Sequence, residues 1–223
     1  MLTCFYMLVH AFVSYAGNAD YYSIIGFSKD GAYLAFERYG TSDGSGFPYS
    51  EILTINVAKN DYAAKPLKLV LEESDMKETI ARARNLKQAL PLLNKFGIVQ
   101  GETGACIIKQ TDALTGKKST FITSGKIVTL ILTQTPIPEQ SQEYCDGSVI
   151  TGNRMELTML VQGKTIVLQK DMKLPSSRRC TDGYGIEQVW LYNDKYLAVV
   201  VRFFSPGFEG PDSRVMVVTG VIL

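Results

Sequence analysis

Two periods of apolar residues divide this chain of 223 residues. Most of it carries short apolar or alternating runs bounded by Gly, Pro, Asn, Asp and Ser, the pattern of strands and turns. YYSIIGF (21–27) and AYLAFERY (32–39) read as strands joined by the turn KDG (29–31). SEILTINVA (50–58) follows a long Gly/Ser/Asp loop, and KND (59–61) turns the chain again. Together they predict an antiparallel meander. Further strands are expected at 104–112, 126–135, 153–161, 164–171, 186–192, 195–205 and 213–223, with Gln162-Gly163 as a hairpin turn. Between the two sets, residues 74–98 change period. Ile80, Ala83, Leu86, Leu90 and Leu93 recur in steps of three and four, which predicts one amphipathic helix near 75–96. Ser74 or Asp75 is expected to cap it, Pro91 to interrupt or kink it, and Gly97 to end it. The expected class is mainly β: antiparallel meanders, irregularly propeller-like or sandwich-like, with that one helix.

The two ends of the chain echo each other. Tyr33-Leu34-Ala35 matches Tyr196-Leu197-Ala198 at an offset of 163, and Ile52–Ile55 matches Val215–Val218 at the same offset. Between them, Gly46-Phe47 matches Gly207-Phe208. Two similar meanders therefore bracket the chain. They are expected to lie side by side, covering each other's strand edges and placing both glycine-phenylalanine loops at one end. Phe47 and Phe208 are expected to anchor those loops as buried rings.

The N-terminus changes the picture. LTCFYMLVHAFV is an apolar run followed by small residues at Ser14 and Ala16, and again at Gly17 and Ala19. This is the pattern of a secretory signal with a cut near Gly17 or Asp20, although no Lys or Arg precedes the run. The expected organisation is a signal peptide at 1–19 and a single exported domain at 20–223, periplasmic or secreted. No run reaches the roughly 18 apolar residues of a spanning helix. The single histidine, His10, lies inside the signal, so a mature chain has no imidazole for Ser-His-Asp or Cys-His catalysis, or for zinc.

Charge adds an exclusion. Lys+Arg total 23 and Asp+Glu 22. A net charge near zero gives the whole chain no electrostatic footprint for nucleic acid or an anionic membrane. Cys4 leaves with the signal. Cys106, Cys145 and Cys180 have no CxxC spacing, so no redox motif or zinc knuckle is expected. Cys145 and Cys180 lie in polar, turn-rich segments and are the expected disulfide pair of an exported protein. Cys106, in GACIIKQT, is expected to be a buried thiol.

Two resemblances follow from particular residues. SKDGAYLAFERYG resembles the strand-turn-strand of TolB-type propeller blades, with Lys29 where that pattern has proline. The helix and the unmatched middle argue against a regular propeller, which repeats about every 40 residues. GFSKDGAYLAFERYGTSDGSGFPYSEI, LPSSRRC followed by GYGI, and RFFSPGFEGPDSR together resemble a bacterial family of predicted secreted proteins, domain of unknown function 2259. That resemblance implies export. It implies no activity, cofactor or catalytic residue.

The loops hold the candidate site. The first offers Arg38, Asp43, Phe47, Tyr49 and Glu51, and the last offers Arg202, Phe208, Glu209, Asp212 and Arg214. Rings beside charges suit recognition of an envelope protein or glycan. The enzymatic alternative is a glycosidase-like hydrolase using Asp43 or Glu51 with Glu209 or Asp212. It needs two carboxyls about 5–9.5 Å apart across a cleft. TSDGSG lacks the spaced acids of a calcium loop, so no metal or cofactor is expected.

Overall fold

The computed structural model describes residues 17–73, 75–110, 116–137, 152–178, 180–207 and 210–223. The apolar run containing Cys4 and His10, together with Ser74, Cys145, Phe208 and Glu209, lies outside them. Strands β1 (Tyr21–Phe27), β2 (Tyr33–Thr41), β3 (Pro48–Asn56), β4 (Asp61–Tyr62) and β5 (Leu67–Val70) build a first sheet, with β4 and β5 both paired to β3. Helix α1 (Glu78–Lys95) follows, and β6 (Ala105–Lys109) then joins a central sheet. The chain leaves that sheet to build an outer one from β7 (Lys118–Thr123), β8 (Lys126–Pro136), β9 (Asn153–Val161) and β10 (Lys164–Lys170). It returns through a 3-10 turn, Ser176–Arg178, to complete the central sheet with β11 (Gly183–Tyr192), β12 (Tyr196–Ser205) and β13 (Asp212–Val221). The central order is β13-β12-β11-β6, and every strand pairing is antiparallel.

The sheets stack face to face rather than closing into a barrel. Leu197, Val199, Val201 and Phe203 of β12 face the outer sheet, where Leu130 and Met159 join the same core. Ala198 and Val200 point the other way, into a core with Phe36 and Leu53 of the first sheet. The far side of the first sheet is covered by α1, through Ala35, Ile52, Ala89 and Leu93. The layers therefore run helix, first sheet, central sheet, outer sheet. This order explains why YLAVVVRFF does not alternate: an inner strand with two buried faces needs apolar residues on both.

The bracketing meanders are neighbours, but they pack face to face and not edge to edge. Gly31 marks their contact. It has φ +72, and a Cβ there would lie 2.1 Å from the Tyr196 ring. The echo is also not in strict register. Leu34 pairs with Ile55, whereas Leu197 pairs with Gly220. The offset of 163 on the first strands becomes 165 on the return strands (220 − 55). A slip of two keeps every side chain on its own face, which is why it goes unnoticed in the sequence.

Three expectations need correction. The buried stripe of α1 is Ala81, Asn85, Ala89 and Leu93, while Leu90 is exposed. The stripe is shifted because the sheet beneath carries Glu37 and Ser50, both buried. Asn85 Nδ2 donates to the Ser50 carbonyl at 2.9 Å, and Arg82 pairs with Glu37 at 2.8 Å. The N-cap is Lys77, with no side-chain cap, and Pro91 lies within the helix without ending it. Pro91 is exposed, so water can reach the carbonyl that its missing N–H leaves free. Cys106 is an exposed free thiol, because β6 is an edge strand paired only with β11. The Gln162-Gly163 hairpin is as expected, with φ 48 and 75.

A buried clasp joins the outer sheet to the central one. Arg178 grips Asp171 with both nitrogens, at 2.6 and 2.7 Å, and donates to the Tyr184 hydroxyl at 3.2 Å. The Met155 N–H also donates to Asp171. Burial alone would raise the Asp171 carboxyl, but the hydrogen bonds and charge of Arg178 outweigh it and hold it below its ordinary value. A carboxylate lowered in the fold binds fewer protons there than in the unfolded chain. Its stabilisation is therefore present above about pH 4 and is lost as pH falls through the folded value. Asp171→Asn should cost about 3–5 kcal/mol at pH 7, because it leaves Arg178 buried without its partner. It should also flatten the acid limb of stability against pH, read by urea unfolding. An acid limb as steep as that of the parent chain would refute this account.

Candidate functional site

Residues 17–20 run between the two bracketing meanders and tie their loops together. Ala19 bridges Ser213 in parallel, and Ser213 N–H donates to the Asn18 carbonyl at 2.7 Å. The Asn18 side chain spans both loops. Its Oδ1 accepts from the Asp43 N–H at 2.6 Å, and its Nδ2 donates to Asp212 Oδ1 at 3.2 Å. Both loops thus lie at one end of the domain, as their spacing predicted.

Among the described residues, four charged candidates are occupied with one another and a fifth, Arg202, with Glu187. Arg38 Nε donates to Glu51 at 2.6 Å, and Arg214 donates to Asp212 at 3.0 Å. Burial would lower the Arg38 guanidinium, yet Glu51 beside it raises it above its ordinary value. Arg202 pairs with Glu187 and also donates to Ser213 Oγ at 2.9 Å. Tyr22 of the first sheet donates to the same Glu187 at 3.0 Å. Tyr49 donates to Asp20, whose second oxygen accepts the Val215 N–H at 3.1 Å. Burial, and then the neighbouring carboxylate, raises both phenols, Tyr22 beside Glu187 and Tyr49 beside Asp20. Both tyrosines therefore act as neutral donors. Phe47 is half-buried, not a core plug. Asp43 uses one carboxyl oxygen to accept the Gly44 N–H at 3.0 Å. Cys180 is half-buried beyond the 3-10 turn.

An open groove of about 160 Å³ lies beside these pairs, where all three sheets meet. Arg38, Leu53, Ile55 and Tyr62 form one wall, Gln169 reaches in from the outer sheet, and Val215–Val217 of β13 form the floor. β13 is an edge strand, and its outward N–H groups alternate. Those of Ser213, Val215 and Thr219 are taken by the Asn18 carbonyl, Asp20 Oδ2 and Asn60 Oδ1. By the same alternation Val217 faces outward between the last two, in the groove. Of the sequence candidates only Arg38 lines it. Asn60, Tyr62, Gln169 and Val217 were missed, because nothing local in KNDY or VLQK marks a junction made by residues more than a hundred apart. Asn18 and Asp20 were hidden by the signal reading, which treats 17–19 as a cleavage zone.

A family model described as "Predicted secreted protein (DUF2259)" matches residues 35–220. No curated protein matches this chain. No solved structure matches it either.

Replacing Asn18 with Ala removes the acceptor of the Asp43 N–H. Hydrogen exchange should then quicken at Asp43 by about tenfold, with global stability lowered by only about 1–2 kcal/mol. Unchanged exchange at Asp43 would show that Asn18 does not hold the first loop.

Proposed function

This chain belongs to the DUF2259 family of predicted secreted proteins, and we propose that it is a non-catalytic binding module of the cell envelope. The groove at the junction of the three sheets is its ligand seat. The carrying observation is the contrast between the paired charges and this groove. Glu51 and Asp212, two of the four carboxylates open to the hydrolase alternative, are each held by an arginine. The groove instead offers the exposed ring of Tyr62 and a short stretch of strand edge over the buried Leu53 and Ile55, with the Glu51-paired Arg38 at its border. That combination suits an extended segment of an envelope protein, held by main-chain pairing at Val217 and side-chain contacts along the wall. A photo-cross-linking side chain at position 62, in the native host, should form an adduct with an envelope protein. The same group at exposed Lys87 on α1 should not. Equal adducts at both positions, or adducts with glycan alone, would sink the peptide reading.

Export and the disulfide belong to the same proposal. The leader is cut after Ala16, not after Ala19, because Asn18 and Ala19 are built into the clasp between the meanders. Cys145 and Cys180 close the disulfide of the exported chain. Peptide mapping of protein recovered from the host should find Gly17 at the amino terminus and one Cys145–Cys180 linked peptide. A chain beginning at Met1 or Asp20, or a free thiol at Cys180, would contradict it.

A further inference from the structure

The layer order leaves one sheet face uncovered. The first sheet is roofed by α1 and the central sheet is enclosed, but nothing among the described residues covers the outer face of the β7–β10 sheet. An antiparallel sheet facing water ordinarily alternates polar residues outward. Here three of the outward positions at one end are exposed aliphatics, set among threonines. Ile122 and Ile127 are directly paired across the β7–β8 hairpin and are 73% and 64% exposed. Leu160 lies on the neighbouring strand, opposite Thr129, and is 39% exposed. The two hairpin turns of this sheet, Ser124-Gly125 and Gln162-Gly163, sit at that same end, since Val128 pairs with Val161.

Charge sets the identity of the partner. The strands of this sheet carry Lys118, Lys126, Arg154, Lys164 and Lys170 against the single acid Glu156. Five basic side chains minus one acidic gives +4 on these strands, in a chain whose formal net charge is +1. The near-neutral total therefore conceals a basic layer. Glu156 is already bound to Lys170 at 3.0 Å. Around the aliphatic end, Lys126 donates to the Leu223 carbonyl at 2.7 Å, Lys164 is exposed, and Asp194 accepts from Thr123. Lys164 stands beside the aliphatic tip, and Lys118, opposite Ile131, is set back four residues from Ile122 on the same face. Aliphatic side chains at the tip with lysines behind them match the acyl boundary and the charged headgroups of an anionic bilayer. A continuous apolar face would suit a second copy of the chain better, but +4 against +4 opposes such pairing.

We infer that the hairpin end of the outer sheet docks on an anionic lipid surface, with Ile122, Ile127 and Leu160 inserted and Lys118 and Lys164 over the headgroups. This inference rests on the outer sheet alone and stands apart from the groove. The test is co-sedimentation of the full chain with vesicles of phosphatidylcholine, with and without one-third phosphatidylglycerol. Binding should need the anionic lipid and should weaken as salt rises from about 0.1 to about 0.5 M. The pair Ile122→Asp and Ile127→Asp should lower partitioning about tenfold or more, as should Lys118→Glu with Lys164→Glu. Leu90→Asp on α1 should leave it unchanged. Because the apolar run at 2–13 can itself enter lipid, the difference between tip and helix variants in the same chain assigns the site. Thermal unfolding checks that each variant folds. Equal binding by parent and tip variants, or no preference for the anionic vesicles, would overturn the proposal. So would loss of a dimer, but not of vesicle binding, in the tip variants.

Discussion

Burial of the central sheet on both faces constrains everything else in this fold. β12 presents Leu197, Val199, Val201 and Phe203 to one core and Ala198 and Val200 to the other, all nearly inaccessible. Each of the larger side chains contributes roughly 1.5–3 kcal/mol by leaving water, so exposing the four on the outer-sheet side alone would cost about as much as a typical domain's whole margin. No outward-facing side remains on which β12 could carry polar residues. Its one charge, Arg202, stands near the loop end, and it is neutralised there by Glu187.

Apolar layers fix distance better than register, since greasy surfaces slide with little penalty. Each interface in the stack carries, at its margin, a polar contact built on an arginine–carboxylate pair. Arg82 meets Glu37 between helix and first sheet. Arg202 pairs with Glu187 within the central sheet, and Tyr22 of the first sheet reaches across to the same carboxylate. Arg178 holds Asp171 and Tyr184 between the outer and central sheets. Such pairs add little net stability over an apolar replacement, but one partner left alone inside is costly. A slipped register would part Arg82 from Glu37 and take Tyr22 and Tyr184 away from the other two pairs. In physical terms these contacts are alignment pins, and they explain why an apolar stack this deep adopts one arrangement.

The strands were legible where turn chemistry bounded them. β1 and β9 coincide with their predicted segments, and the hairpin turn at Gln162-Gly163 forms as its residue types require. What failed was the partner surface. The face of α1 was misread because apolar spacing assumes an apolar seat, whereas Asn85 docks on Ser50 and leaves Leu90 to solvent. Cys106 was read as buried because ACII looks like an inner strand, but its sheet position is an edge. β7 escaped notice because KSTFIT is short and polar. For the site, the echo correctly brought the first loop, at Asp43, beside the start of the last strand, at Asp212. It could not reveal that their charges are mutually satisfied, since pairing depends on rotamers and on Asn18, which lies outside both copies.

The edge of β13 connects stability to function. A long apolar strand with free N–H and C=O groups would recruit any extended chain, including another copy of itself. Two side chains prevent this by standing in for a neighbouring strand. Asp20 accepts the Val215 N–H, and Asn60 accepts the Thr219 N–H while donating to the Leu168 carbonyl at 3.1 Å. Asn60 can do so because it sits in a turn at φ 51, which aims its amide across all three sheets. Between these two plugs only the stretch around Val217 remains open, roofed by Tyr62 and bounded by Arg38 and Gln169. A gap of that length is too short to seed an indefinite sheet and long enough to hold one segment in register. Selectivity must then come from the wall rather than from the backbone, because main-chain pairing alone does not distinguish one sequence from another.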